Sequence, residues 1–156
     1  MNIVIERKMF IGIGLLTFFI LAGAVLLASK QDSSFVAEAN IISKNGLHWH
    51  PELSIYINSK KQLIPKDIGL RAVHQPIHTH DDTGVIHMEM QGIVTDDQTK
   101  LGNFFKIWGK QFNKDCIFDS CNGKDRKMKM MVNGKQNNEF ENYLMHDKDK
   151  IEIRYE

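Results

Sequence analysis

The chain lacks an excess of charge of either sign. Among 156 residues, 20 Lys+Arg are balanced by 19 Asp+Glu, a formal net charge of +1. Nucleic-acid-binding domains usually carry a basic excess or stripe, so the balance argues against that class of partner. The one basic cluster, KDRKMK at Lys124–Lys129, reads as a solvated loop. With 11 glycines and 3 prolines there is no bias of the kind that marks collagen or disorder. Cysteine is scarce: Cys116 and Cys121 are the only two, and no thioredoxin-like C-x-x-C exists. G-x-S-x-G, H-E-x-x-H and the phosphate-binding loop are also missing, which leaves nucleophilic hydrolase chemistry without support.

Long apolar runs are missing as well, with one exception. Met9–Ser29 carries no charged residue, while the remainder reads as polar and globular. A helix needs roughly 20 apolar residues to cross a bilayer core, and this run meets that length once. Arg7 and Lys8 flank its start, which places that end in the cytoplasm by the positive-inside rule. The expected organisation is a cytoplasmic tail at 1–8, a transmembrane anchor at 9–29, a polar linker at 30–46 and an extracytoplasmic domain at 47–156. The chain is then a single-pass protein of the cell membrane with its C-terminal domain outside. The alternative is a cleaved signal peptide with Ala37-Glu38-Ala39 as the small-residue site, although such peptides have apolar regions of roughly 7–15 residues. Both readings export the domain.

Within it, Leu53–Ile57 (LSIYI) alternates as a strand, Asn58-Ser59-Lys60 follows as a turn, and Gln62–Ile64 is a candidate return strand. Ile77–His80 and Val85–Met90 flank Asp81-Asp82-Thr83-Gly84 as the arms of a hairpin. Leu101, Phe104, Phe105, Trp108 and Phe112 then fall on one face of a short helix. Thr99 is the candidate cap, and the helix ends at Gly109 or a turn later near Asn113. Lys127–Val132 is a strand, Asn133-Gly134 a strong hairpin signal, and Ile151–Tyr155 (IEIRY) a closing strand. Several strands and one helix predict an α+β domain with one mainly antiparallel sheet.

Seven histidines are present, and six lie between His48 and His87. His48-Trp49-His50 and His78-Thr79-His80 are both H-x-H, and alternate strand residues share a face about 6.5–7 Å apart. If the loop spans Asp81–Gly84, His80 faces Val85 and His78 faces His87, which brings His78, His80 and His87 to one side of the hairpin. A loop one residue shorter sends His87 to the opposite face. Three imidazoles from neighbouring strands suit Cu²⁺ or Zn²⁺ and leave a position open. Exported location and histidine ligation favour copper over zinc slightly, and affinity order adds to that. Glu89 shares the face of His87 and is placed to ligate or to orient a ring. His48 and His50 are the next ligands; His74, Asp81 and Asp82 are weaker candidates. Met88 and Met90 point the other way, into the core with Ile86, which disfavours a thioether site. The plain alternative is a set of polar core and surface histidines around an ordinary turn.

Two resemblances accompany these patterns. From Asn133-Gly134 through Tyr143 and Asp147-x-Asp149 to the terminal strand, the last third resembles β-grasp modules, in particular those similar to the C-terminal domain of transcobalamin-like proteins. That resemblance implies a β-grasp-like fold. It does not extend to cobalamin binding, because no ligand-contacting motif matches. Across Leu47–Glu156, LHWHPELSIYIN, PIHTHDDTGVIHMEMQG, LGNFFKIWGK and VNGK resemble an uncharacterised family of membrane-anchored proteins from ammonia-oxidising archaea and some bacteria. The implication is an anchored extracytoplasmic module with a histidine core.

In an exported chain, C-x4-C is expected to close as a Cys116–Cys121 disulfide, with a second metal site or a redox pair as the alternative. Three functional readings stand. The first is a tethered copper-binding protein that delivers, stores or buffers metal and passes it to a metal-receiving partner. The second is a structural or accessory subunit of a membrane complex without its own metal. The third is a metal-dependent hydrolase or oxidoreductase, for which no general base or substrate cleft can be placed.

Overall fold

The computed structural model describes residues 40–156. The tail at 1–8, the anchor at 9–29 and the first part of the linker lie outside the described residues. Among the described residues no helix is long and apolar enough to cross a membrane.

The elements in chain order are β1 (Ile41–Ser43), β2 (Leu47–Trp49), β3 (Glu52–Ile57), β4 (Lys60–Lys61), β5 (Ile77–His78), β6 (His87–Met90) and β7 (Val94–Thr95). Then come a 3-10 turn at Asp96–Thr99, α1 (Leu101–Trp108), β8 (Cys116–Ile117) and β9 (Ser120–Cys121). β10 (Met128–Val132), β11 (Lys135–Asn137), a 3-10 turn at Phe140–Asn142 and β12 (Lys150–Tyr155) complete the domain. It is a small sheet-rich α+β domain with one helix.

The larger sheet has five strands in the order β11-β10-β12-β3-β4, and a second has three in the order β2-β6-β5. The strands are mainly antiparallel, as expected, but they form more than one sheet, and one pair is parallel. At the centre of the larger sheet, β12 runs parallel to β3, with Ile151 beside Leu53 and Ile153 beside Ile55. These four side chains are buried, while Ser54 and Glu152 between them are not, the period-2 pattern of a sheet with one covered face. The part of the expected linker that is described is not all tether either: Ile41–Ser43 pairs with Val94–Thr95.

Turn chemistry sets the hairpins. Asn133 and Gly134 both have positive φ, and Val132 pairs with Lys135 across a two-residue loop. Asn58 and Ser59 behave in the same way, so Ile57 pairs with Lys60. The return strand is therefore Lys60–Lys61 rather than Gln62–Ile64, because the loop closes one residue sooner than the three-residue turn expected.

α1 ends at Gly109, whose φ of 74° is the left-handed cap that other residues adopt at a cost. Its N-cap is Lys100, not Thr99; the Thr99 hydroxyl instead donates to the Asp96 carbonyl inside the preceding 3-10 turn. Leu101, Phe104 and Phe105 are fully buried in the core with Leu53, Ile55, Met130 and Ile153. Phe112 matches the helical period but lies beyond the helix, where it stacks on Phe105 at 4.3 Å. Cys116 and Cys121 face each other on β8 and β9 and form a disulfide.

Candidate metal centre

The three-stranded sheet carries the histidines. β2 pairs with β6 so that His48 faces Glu89, and β5 pairs with β6 so that His78 faces His87. On the opposite face of β6, Met88 is fully buried and Met90 nearly so, with Ile86 beneath them. Strand alternation thus assigns the thioethers to the core and the imidazoles to the other side.

The two arms pair over a shorter length than the sequence suggests. Beyond His78 and before His87 they separate, because each finds other partners. The Thr79 N–H donates to the Ile68 carbonyl at 3.0 Å, and the Ile86 N–H donates to the Pro51 carbonyl at 2.8 Å. Val85 forms a bridge with Glu52, and the Leu53 N–H donates to the Gly84 carbonyl at 2.8 Å. His80 consequently has no strand partner, yet its ring still reaches the site.

His78, His80, His87 and Glu89 each offer a ligand atom within 4.8 Å of the others, as do His48, His50 and His87. Nε2 of His78 lies 3.2 Å from Nε2 of His80. Two nitrogens bound tetrahedrally to one ion through bonds of 2.0–2.1 Å lie about 3.3 Å apart, so this pair already stands at ligand spacing. Nδ1 of His78 lies 3.1 Å from the Gln75 carbonyl oxygen. That oxygen carries no proton, so Nδ1 must donate, which leaves Nε2 of the neutral ring with its lone pair free.

Burial and neighbouring charge disfavour the protonated form of two of the rings, His78 and His87. His78 is held below the ordinary imidazole pKa chiefly by desolvation, then by its neighbours His74 and His80, against the opposing Gln75 carbonyl bond. His87 is lowered for the same leading reason, with His80, His50 and His78 adding to it. Neutral imidazole binds metal; imidazolium does not. Hydrogen bonds from the Thr83 hydroxyl and N–H hold the Asp81 carboxyl below its usual range, which makes that residue a brace for the loop.

Three neighbours of the site were weakly signalled or absent in the sequence pattern. His74, from the loop before β5, brings Nε2 to 3.3 Å from Nδ1 of His78. Asp147 accepts the backbone N–H of His50 at 2.8 Å and lies 3.7 Å from its Nδ1. His146 stacks on Trp49 at 5.6 Å. The first belongs to a loop without periodicity. The other two lie nearly a hundred residues from their partners, and only the β3–β12 pairing brings them near. Asp82 belongs to neither ligand group.

Together these residues offer several histidine and carboxylate groups able to hold a metal ion. Compared with protein-family models, curated proteins and solved structures, the chain matches none.

Proposed function

We propose that this chain is a membrane-tethered, extracytoplasmic metal-binding module that delivers, stores or buffers copper, with zinc as the alternative ion. The observation that carries the reading is the cluster of His78, His80, His87 and Glu89 at mutual ligand distance. Imidazole nitrogens suit a borderline divalent ion, and the Irving–Williams order places Cu²⁺ above Zn²⁺ at such a site. The absence of a free thiol and the burial of Met88 and Met90 argue against a sulfur-based Cu⁺ site. Tethering and export rest on Met9–Ser29 with Arg7 and Lys8 at its start. We read the five-stranded sheet as β-grasp-like: two hairpins, a helix between them, and a last strand parallel to the first. This reading fits the family resemblance noted above.

Elemental analysis of the full-length chain, purified without added metal and then loaded, tests the proposal. At least one ion per chain is expected, and fewer in His78→Ala/His80→Ala. Equal stoichiometry in the two proteins overturns the assignment.

A further inference from the structure

We propose that this face holds two metal ions rather than one, with His87 as their shared ligand. The inference rests on the metal-binding reading above and extends it to a second site.

The donors form two sets that meet at a single residue. His78, His80, His87 and Glu89 make one; His48, His50 and His87 make the other. A single ion of the copper or zinc type takes about four protein ligands, too few to use every donor present. The ring of His87 stands between the sets. It meets His80 at 4.5 Å and His50 at 4.9 Å, both edge-on, and stacks on His78 at 5.6 Å. His50 in turn lies 4.7 Å from His48, centroid to centroid. An imidazole has a nitrogen on each side of the ring, so one ring can serve two ions, releasing its remaining proton to solvent. Two bonds of about 2 Å across such a ring place the ions about 6 Å apart.

Carboxylates accompany both sets. Glu89, a donor of the first set, also lies 3.2 Å from Nε2 of His48. Asp147 holds the backbone of His50 and approaches its ring at 3.7 Å. The sets differ in donor number, four against three, and in one anchored member. His78 is fully buried with Nδ1 fixed by Gln75, whereas the side chain of His48 is 62% exposed; His80 and Glu89 are exposed as well. The ion at the four-donor set, the inner one, is therefore the tight one. The outer ion, held by less constrained rings, is bound roughly tenfold more weakly or worse and is the exchangeable one. A module that passes a divalent ion to a partner needs such an accessible position.

Titration of Cu²⁺ into the full-length chain, read by equilibrium dialysis and integrated electron paramagnetic resonance intensity, tests this. The wild type is expected to bind two ions per chain in two steps. At two ions the integrated signal should fall below that of two isolated ions, because a shared imidazole couples their spins. His48→Gln/His50→Gln should bind one ion, and His87→Gln should lose the coupling. The wild-type measurement needs no variant, so a folding defect cannot mask the answer. One ion per chain in both the wild type and His48→Gln/His50→Gln overturns the second site and leaves the first intact. Full signal intensity at two ions overturns the sharing by His87. No bound ion at all overturns the metal-binding reading itself.

Discussion

His78 and His87 stand directly opposite each other on β5 and β6, and their rings stack at 5.6 Å with 16° between planes. Two imidazoles so placed repel once both are charged, and burial resists charging them at all. The pair is suited to a cation between its neighbours, not to a proton on each ring.

The pH dependence of stability follows from that. Both groups have folded-state pKa values below the ordinary 6.5, with desolvation as the leading cause. The unfolded chain therefore binds more protons than the folded one as pH falls, and stability rises with pH in that range. The metal-free protein should lose stability as pH drops through 6.5 toward the lower folded values, and should change little from these groups above it. Urea midpoints at pH 7.5 and 5.5 measure the effect. His78→Gln/His87→Gln should flatten the difference, and an unchanged slope in that variant contradicts the assignment.

Metal should stabilise the fold through the same residues. An ion that binds only the folded state at a hundred times its dissociation constant contributes about 2.7 kcal/mol. The melting temperature should rise by several degrees with Cu²⁺ and return with a chelator. His78→Ala/His80→Ala/His87→Ala should show almost no shift. Calorimetry with and without metal reads this directly, and an equal shift in the variant counts against binding at the cluster.

What the sequence disclosed about this site was local. The facing of His78 and His87 follows from counting residues through Asp81-Asp82-Thr83-Gly84, and Met88 and Met90 fall into the core by alternation. The end of α1 falls at Gly109, one of the two positions the sequence left open. Contacts between distant segments leave no such pattern. The parallel pairing of β3 with β12 brings Asp147 to His50 across 97 positions. The arms of the hairpin also separate earlier than their β-propensity suggests, since Thr79 and Ile86 bond to Ile68 and Pro51 instead of to each other's strands. Phe112 fits the helical period, but its burial comes from packing beside Ile117 rather than from helix.

Asp149 should prove a structural anchor of the outer ligands. Its nearly buried carboxylate accepts hydrogen bonds from the Tyr143 hydroxyl at 2.7 Å, the His146 N–H at 2.8 Å and the Asn133 amide at 2.8 Å. Burial and that carboxylate push the Tyr143 hydroxyl pKa upward, so it stays a donor at any working pH. Asp149→Ala leaves these donors without an acceptor and should cost at least about 2 kcal/mol. Denaturant unfolding measures the loss. Because Asp147 sits in the same turn and holds His50, weaker binding of the outer ion should accompany it.

Gly84 should be the least replaceable residue of the loop that carries His80. Its φ is +95°, and a Cβ there meets the Leu53 carbonyl oxygen at 2.4 Å, a backbone atom of β3 that does not give way as a flexible side chain would. Gly109 provides the control: its φ is +74°, but a Cβ there meets nothing within 4 Å. Gly109→Ala should therefore lose only the cost of a left-handed backbone, about 1 kcal/mol. Gly84→Ala carries that cost and the clash together, and should lose about 2 kcal/mol or more. The excess should also appear in metal affinity, because relief of the clash pushes the loop off β3 and carries His80 away from His78. Unfolding midpoints and Cu²⁺ titration of the two variants separate the effects. If Gly84→Ala is no less stable than Gly109→Ala, the close approach of the loop to Leu53 is not a constraint on the site.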